Sequence, residues 1–267
     1  MQNELLEQIK QVVLQAGELI KSVDTVTEVT HKEGPANFVT AYDSLVQKYL
    51  IEHLSPLVPQ ASFLGEEDNF SVNTVNDGGY TFIIDPIDGT TNFICDFMCS
   101  GISVGLSLQH DMYIGVVYNP FRNELFYAQK NCGAYLNGKR LYIRERSLAD
   151  GVINFGTAPY NPELRDASFD LAKALSYRTM DMREIGSASV AICYVACNRC
   201  VAYASPRLCT WDYAAASLIV TEAGGVLSDF SGEPLNFRTK LPVVASTKSG
   251  QKEFIDISRT YDIPAAT

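Results

Sequence analysis

The sequence predicts an α/β (α+β) protein with a different sheet in each half. We expect an antiparallel sheet in the N-terminal half, because β-branched and aromatic stretches cut by turn residues fill residues 101–142. A smaller mixed sheet is expected in the C-terminal half, where strand-like and helical stretches alternate beyond about residue 150. With 46% hydrophobic residues in a chain of 267 and no low-complexity linker, we predict two tightly joined parts, residues 1–145 and 146–267.

The first elements are predicted to be helical. Apolar residues recur at helical spacing from Leu5 to Ile20 among Glu, Gln and Lys, which indicates an amphipathic core helix and not a secretory leader. A loop at residues 34–37 follows, with Lys32 just ahead of it. The apolar spacing over residues 43–54 predicts a second helix.

Two short apolar stretches end in carboxylates. Residues 62–64 lead to Glu66, and residues 80–84 lead to Asp85. Pro86 lacks a backbone donor, so we expect the second strand to stop there. Both acidic residues are therefore predicted to lie at the carboxyl ends of buried strands.

The segment after the second strand reads Asp-Pro-Ile-Asp-Gly-Thr-Thr-Asn-Phe over residues 85–93. Asp88 adds a carboxylate, while Gly89 and Thr90 can open a helical turn whose unpaired N–H groups attract an anion. A phosphate cannot bind beside ionised aspartates unless a cation lies between them, because the repulsion costs several kcal/mol. The segment therefore indicates a phosphate held over metal ions.

Beyond residue 150 the predicted elements alternate. The predicted strands are residues 152–155, 201–204 and 243–246, and the predicted helices are residues 162–175, 188–197 and 211–223. Asp212 lies in the first turn of the last helix, where it meets the positive end of the helix dipole. Oxygen ligands without a nearby histidine favour Mg²⁺ or Mn²⁺ over Zn²⁺. Since the acidic segments come from both halves, we expect the active cleft where the halves meet.

Charge and cysteine content exclude several classes of protein. Thirty-one acidic residues against 21 basic ones give a formal charge of −10, which argues against a nucleic-acid or anionic-membrane surface. No apolar stretch approaches the length that spans a bilayer, and seven cysteines indicate reduced thiols. We expect a cytoplasmic protein that binds neither nucleic acid nor membrane.

Three segments together resemble the motifs of the inositol monophosphatase family, within the lithium-sensitive, magnesium-dependent sugar and nucleotide phosphatases. They are residues 65–67, 85–93 and 211–225, in the family's order, and the similarity spans nearly the whole chain. The resemblance implies a layered αβαβα sugar-phosphatase-like fold and a Mg²⁺-dependent phosphomonoester hydrolase. Its implied substrate is inositol monophosphate or a related small sugar or nucleotide phosphate, and its implied state is a homodimer inhibited by lithium.

The resemblance also implies residue roles. Two or three Mg²⁺ ions, with Mn²⁺ as the alternative, are held by Glu66, Asp85, the carbonyl of Ile87, Asp88 and Asp212. Asp43 and Thr90 orient and deprotonate the attacking water, Glu66 also supports the looser third ion through water, and Lys32 is an auxiliary basic residue near the metals. The substrate-binding set is Asp88, Gly89, Thr90, Gly186, Ser187, Ala188, Ser205, Arg207 and Asp212.

One departure from the family pattern bears on the substrate. Many inositol-specific members carry an acidic acceptor for ring hydroxyls seven positions before the last motif's aspartate, and this chain has Ser205 there. Serine is a weaker acceptor and Arg207 is a potential anion partner. We therefore expect the enzyme to accept several phosphomonoesters, including a bisphosphate such as fructose bisphosphate or the 2′-phosphate of NADP.

Two other interpretations of the acidic segments compete with this one. A haloacid-dehalogenase-type phosphatase requires Asp-x-Asp, whereas Asp85 and Asp88 have two residues between them. A non-catalytic metal-dependent phosphate-binding or partner-binding protein on an inactive scaffold is the alternative of a different class. The intact acidic set and Thr90 argue against such a loss of chemistry.

Overall fold

The computed structural model describes residues 2–23, 29–31, 38–67, 79–237 and 240–261. The predicted loop at residues 34–37 and the auxiliary Lys32 lie outside the described residues. The helices are α1 (Gln2–Lys21), α2 (Ala41–Leu54), α3 (Thr90–Ile94), α4 (Arg165–Ser176), α5 (Ala188–Ala196), α6 (Thr210–Glu222) and α7 (Lys248–Ser258), with 3₁₀ turns at Leu148–Asp150 and Pro162–Leu164. The strands are β1 (Val29–His31), β2 (Phe38–Thr40), β3 (Ser62–Gly65), β4 (Tyr80–Asp88), β5 (Gly101–Leu108), β6 (Asp111–Asn119), β7 (Glu124–Gln129), β8 (Gly133–Leu136), β9 (Lys139–Arg140), β10 (Val152–Phe155), β11 (Asp181–Arg183), β12 (Ala202–Leu208), β13 (Val226–Ser228) and β14 (Leu241–Ser246).

The strands form two large sheets. The first has seven strands in the order β3-β4-β5-β6-β7-β8-β9, and the second has five in the order β11-β10-β12-β14-β13. The seven-stranded sheet is antiparallel apart from the parallel pair β3–β4. The five-stranded sheet is mixed, since β10 runs parallel to both neighbours while β14 runs antiparallel to both of its own. The predicted α/β class with a smaller mixed C-terminal sheet is confirmed.

Alternation of side chains along the strands builds the predicted layers. On β4, Phe82 and Ile84 pack in the core with α1 and α2, whereas Ile83 packs in the core with α5 and α6. On β12, Tyr203 faces the same α5–α6 layer and Ala204 faces the core formed with α4 and α7. The order is therefore α1–α2, seven-stranded sheet, α5–α6, five-stranded sheet and α4–α7.

The middle layer is possible because its helices are apolar on all sides. Every residue of α5 from Ser189 to Ala196 is buried, as a helix between two sheets requires. Glycine lets α6 lie directly on the large sheet, since a Cβ at Gly115 would come 2.3 Å from the carbonyl oxygen of Ala215. This seating brings the first turn of α6 toward the strands that carry the acidic residues.

The prediction that the strand stops at Pro86 is wrong, because β4 continues to Asp88. Its pairing with β5 shifts register between Asp85 and Asp88, so Pro86 lies at an irregularity in the ladder. A residue without an N–H is tolerated at such a bulge because no ladder hydrogen bond is lost. A bulge bends its strand, and this one lies between the carboxylates of Asp85 and Asp88.

Other features bear on the broader predictions. The division into residues 1–145 and 146–267 falls between β9 and β10, and it stays a prediction. All seven cysteines are free thiols in the structure. Within the described ranges, each helix is too short or too polar to cross a bilayer.

Candidate active site

Three carboxylates converge where β4 ends and α6 begins. One oxygen each from Asp85, Asp88 and Asp212 lies within 4.8 Å of the others. Asp85 and Asp88 are buried, while Asp212 is partly exposed. The hydroxyl of Ser103, which pairs with Asp85 across β4 and β5, donates to the carbonyl of Trp211 at 3.3 Å and so ties α6 to this strand. The geometry is compact enough for one cation to contact all three carboxylates.

Glu66 lies beside this group. It follows β3, and its N–H donates to the carbonyl of Ile84 at 3.2 Å, which continues the β3–β4 pairing past the strand end. Its charge reaches both Asp85 and Asp212, whose pKa values it raises after the larger effect of burial. The four predicted acidic ligands therefore occupy one region of the molecule.

Burial and mutual repulsion make the ionised form of these carboxylates unfavourable. Burial raises the pKa of Asp85 well above its usual range, and the charges of Glu66, Asp88 and Asp212 raise it further. Burial of its carboxyl group and the charges of Asp88 and Glu66 do the same to Asp212. A donor set made only of oxygen atoms, with like charges crowded together, fits a hard divalent cation such as Mg²⁺.

Asp88 also caps the N-terminus of α5. Its Oδ2 accepts from Ser187 Oγ at 2.6 Å, Ser189 N at 2.7 Å and Ser189 Oγ at 2.5 Å, and its Oδ1 accepts from Ala188 N at 3.0 Å. Burial nevertheless raises the pKa of Asp88 overall. The N–H of Ala188 at this helix start is therefore occupied by Asp88. The segment predicted to contact substrate is thereby locked to a predicted metal ligand.

The segment at Gly186 crosses the 85–93 segment closely. Gly89 has φ +92°, and a Cβ there would lie 2.7 Å from the carbonyl oxygen of Gly186. Asn92 donates from Nδ2 to the carbonyls of Cys99 at 2.7 Å and Ile185 at 2.6 Å. Only glycine fits at position 89, because both the left-handed backbone and the close approach exclude a side chain.

Asp43 and Thr90, which are 47 positions apart in the chain, lie in contact. Thr90 Oγ1 lies 3.2 Å from Asp43 Oδ1 and 3.2 Å from the carbonyl of Ile87, so its single proton serves one acceptor at a time. Asp43 Oδ2 accepts from the N–H and hydroxyl of Thr40 at 2.7 and 2.5 Å, which caps α2. Burial raises the pKa of Asp43. One carboxylate thus starts a helix and faces a hydroxyl of the site.

Ser205 and Arg207 lie on β12. Ser205 Oγ donates to the carbonyl of Arg207 at 3.3 Å, and a Cβ on Gly156 would lie 3.1 Å from that hydroxyl. Arg207 is 18% exposed in its side chain and lies 3.9 Å from the Glu163 carboxylate, a loose ion pair. Its buried Nε has no hydrogen-bond partner. The loose ion pair leaves the terminal guanidinium nitrogens of Arg207 able to bond to another anion.

No motif in the sequence pointed to Tyr160, which lies between β10 and the second 3₁₀ turn. Its side chain is 55% exposed as a whole. Loss of water around its hydroxyl raises its pKa, and the charges of Glu66, Asp212 and Asp88 add to the effect. The structure therefore places the side chain of Tyr160 near the carboxylates. The sequence showed no sign of this, because the position of Tyr160 depends on how its loop folds.

Comparisons with known proteins match this architecture. The model of the inositol monophosphatase family matches residues 1–262. Human inositol monophosphatase 1 is 34% identical over 244 residues, which cover 88% of this chain and 86% of that protein. The crystal structure of the extragenic suppressor protein suhB from Bartonella henselae has a TM-score of 0.86 at 29% identity, covering 96% of this chain and 98% of that one. An IMPase from Thermotoga maritima has a TM-score of 0.84 at 28% identity, covering 94% and 95%.

These likenesses and the fold define the chain as a phosphoric monoester hydrolase. It belongs to the inositol monophosphatase family. The family predicted from the three motifs and the predicted enzyme class are both confirmed.

Proposed function

We propose that this chain is a Mg²⁺-dependent phosphatase that hydrolyses inositol monophosphate or a related small sugar or nucleotide phosphate. The observation that supports this most strongly is the convergence of Asp85, Asp88 and Asp212 within 4.8 Å. Buried like charges at this spacing are costly, and a divalent cation makes them favourable. The same cation makes the site able to accept a phosphate, which the carboxylates alone would repel.

The proposed ligands of two or three Mg²⁺ ions, or Mn²⁺ in their place, are Glu66, Asp85, the carbonyl of Ile87, Asp88 and Asp212. When bound, these ions supply charge neutralisation for the phosphate and a lowered pKa for a coordinated water. The chain's own residues fix their place: β4 presents Asp85, the helix α5 orients Asp88, and α6 presents Asp212. Gly89, Thr90 and the segment Gly186, Ser187 and Ala188 line the proposed substrate side.

Thr90 and Asp43 are the proposed proton acceptors for the attacking water. Thr90 Oγ1 can accept the water's proton while its own proton passes to Asp43 Oδ1, 3.2 Å away. Because burial raises the pKa of Asp43, this carboxylate holds a proton more readily than an exposed aspartate does. Thr40 fixes the other oxygen, so Asp43 cannot turn away from Thr90.

Asp85→Asn tests the proposal. The change keeps the side-chain shape but removes a ligand charge, so we expect near-total loss of Mg²⁺-dependent phosphate release with the fold retained. Phosphate release with and without EDTA and far-ultraviolet circular dichroism measure the two effects. The matched control is Asp111→Asn, an exposed aspartate that pairs with Lys130, and it should keep full activity. Unchanged turnover in Asp85→Asn would refute the proposal.

Ser205 and Arg207 favour a broad substrate range as the second candidate, including fructose bisphosphate and NADP. The supporting observation is that Arg207 lies two residues from Ser205 on β12 and has only a loose ion pair, at 3.9 Å, with Glu163. We expect kcat/KM values for inositol 1-phosphate, fructose 1,6-bisphosphate and NADP within about a thousandfold of one another. A larger preference for inositol phosphate would count against this range.

We further propose a cytoplasmic homodimer that acts on a small phosphorylated metabolite and is inhibited by lithium. The dimer and lithium proposals rest on family membership. The free thiols support a reducing compartment. Sedimentation velocity tests the dimer, and phosphate release at millimolar-range LiCl tests the inhibition.

A further inference from the structure

Gln47 makes an unusual pair of contacts beneath the acidic site. It lies one helical turn after Asp43 on α2 and is fully buried, at 0% exposure. Its Nε2 donates to the carbonyl of Glu67 at 2.9 Å, and its Oε1 accepts from the N–H of the same residue at 3.1 Å. The amide therefore hydrogen-bonds to both the N–H and the carbonyl of Glu67, as a neighbouring strand would.

Gly65 is shaped to admit this amide. A Cβ at Gly65 would lie 2.4 Å from Oε1 and 2.7 Å from Cδ of Gln47. Hydrogen bonds therefore hold the backbone at Glu66 and at the residue after it. The N–H of Glu66 donates to the carbonyl of Ile84, and Glu67 bonds to Gln47. A glutamate placed just past a strand end has its backbone fixed at successive residues.

We propose that Gln47 is a positioning residue that fixes the Glu66 carboxylate beside Asp85 and Asp212 and thereby sets the affinity of the metal site. This inference rests on the proposed function. The amide satisfies both Glu67 groups, because its N–H donates while its oxygen accepts. A leucine removes the amide that bonds to the N–H and carbonyl of Glu67, so the segment that carries Glu66 loses this support.

One helix thus aligns two parts of the site. Asp43 at the start of α2 faces Thr90, and Gln47 one turn later holds the segment of Glu66. Their spacing of four residues puts both on the same face of the helix. The relative placement of the proton acceptor and the first acidic ligand is therefore fixed by the rigidity of α2.

Gln47→Leu tests this role in the full-length protein. We expect the dissociation constant for Mn²⁺, measured by isothermal titration calorimetry without substrate, to rise about 10- to 100-fold, the usual cost of losing a partner that orients a ligand. In kinetics the Mg²⁺ concentration for half-activation should rise by a similar factor. kcat at saturating Mg²⁺ should recover to within a few-fold of the original value.

Gln129→Leu is the matched control, because Gln129 is another buried glutamine, on β7, whose Nε2 donates to the hydroxyl of Tyr113 at 3.3 Å. It should leave the Mn²⁺ affinity unchanged. Gly65→Ala displaces the Gln47 amide by steric overlap and should weaken Mn²⁺ binding in the same way, which covers the case in which Gln47→Leu does not fold.

Asp85→Asn separates the two proposals. Undiminished Mn²⁺ binding in Asp85→Asn would overturn the proposed metal site itself. If Asp85→Asn loses Mn²⁺ binding while Gln47→Leu and Gly65→Ala bind Mn²⁺ within twofold of the original protein, the metal site stands and the role of Gln47 is overturned. A loss in Gln129→Leu equal to that in Gln47→Leu would also overturn it, because the effect would then be general.

Discussion

Two buried acidic regions of the molecule are balanced in opposite ways. Glu124, which is 9% exposed, accepts from Arg199 Nη1 at 2.9 Å and also from Arg199 Nη2, and Tyr194 donates its hydroxyl at 3.2 Å. Around Asp85, Asp88 and Asp212 the structure describes no lysine or arginine in an ion pair with any of the three. The first region has its counter-charge within the chain. In the second, the charge of Lys240 lowers the pKa of Asp212 only slightly against burial and the neighbouring carboxylates, so most of the compensation has to come from a bound cation.

This difference indicates that the Glu124 region stabilises the fold, whereas the acidic site is kept for binding or reaction. A carboxylate with its own guanidinium joins β7 to the end of α5 and needs nothing further. Carboxylates that raise one another's pKa by proximity are kept at a cost in stability. Sites of that kind persist because a ligand or a reaction requires them.

The largest expected effect is the loss of kcat when Thr90 is replaced. Unchanged kcat would mean that the acidic site is structural, as the Glu124 region is. Thr90→Ala removes the hydroxyl that contacts Asp43, and we expect kcat to fall about 100- to 10,000-fold, the range for loss of general acid–base catalysis. The KM for substrate should change little. Steady-state kinetics at saturating Mg²⁺ measure both constants.

Thr90→Ser is the control, since serine keeps a hydroxyl at the same position and should retain most of the activity. A variant Thr90→Ala with full kcat would show that the hydroxyl only bonds to Asp43 and to the carbonyl of Ile87 and takes no part in the reaction. The Asp43–Thr90 contact would then be structural, like the Glu124–Arg199 pair.

The intermediate effect is a loss of stability in the Glu124 region. Arg199→Met removes the guanidinium and leaves the Glu124 carboxylate without its cation, so we expect the free energy of unfolding to drop by about 2 kcal/mol. The side chain of Arg199 is 40% exposed, which keeps the loss below that of a fully buried pair. Urea denaturation measures the change, and kcat should stay within about twofold.

The double variant Arg199→Met with Glu124→Gln supplies the control. Neutralising the acid should recover part of the loss, because no buried charge is then left unpaired. Equal stability of the single and double variants would contradict the assigned role of the pair.

The sequence alone predicted the elements with strong periodic patterns. The strand predicted at residues 152–155 is β10, and the helix predicted at residues 211–223 differs from α6 by one residue at each end. The three-residue strands β11 and β13 were not predicted, because so short a segment has no measurable period and forms only by pairing with its neighbours. Pro86 was misjudged because a bulge depends on the partner strand.

The acidic residues proposed as metal ligands were visible in the sequence because each lies near the end of a strand, just past it, or in the first turn of a helix. Their partners were not. Ser189 and Gln47 carry no local signal, since a serine in an apolar helix and a glutamine in an amphipathic one are ordinary. Their roles come from contacts with Asp88 and Glu67, which lie 101 and 20 positions away. Such long-range hydrogen bonds are a property of the assembled layers.

The smallest expected effect is the pH dependence of the metal-free protein. The pKa values of Asp85, Asp88 and Asp212 are raised in the folded state, chiefly by burial, so folding takes up protons above about pH 4, where the unfolded chain has released them. This contribution to stability is present below about pH 4 and is lost as the pH rises through the folded-state pKa values. Metal-free protein should therefore lose stability toward neutral pH.

Asp85→Asn isolates this contribution. In EDTA we expect the variant to gain about 1 kcal/mol or more of unfolding free energy over the original protein at pH 7.5, because one buried charge of the group is gone. The gain should shrink as the pH falls toward 4. Excess Mg²⁺ should reverse it, since only the original protein binds the ion tightly.

The control for the pH effect is Asp111→Asn, whose carboxylate is 76% exposed and pairs with Lys130 on the surface. It should show no gain at any pH, because an exposed aspartate carries no burial cost. A stability difference for Asp85→Asn that stays flat between pH 4 and 7.5 would mean that the carboxylates already have a counter-charge within the chain. The acidic site would then belong with the Glu124 region, and its need for a cation from solution would disappear.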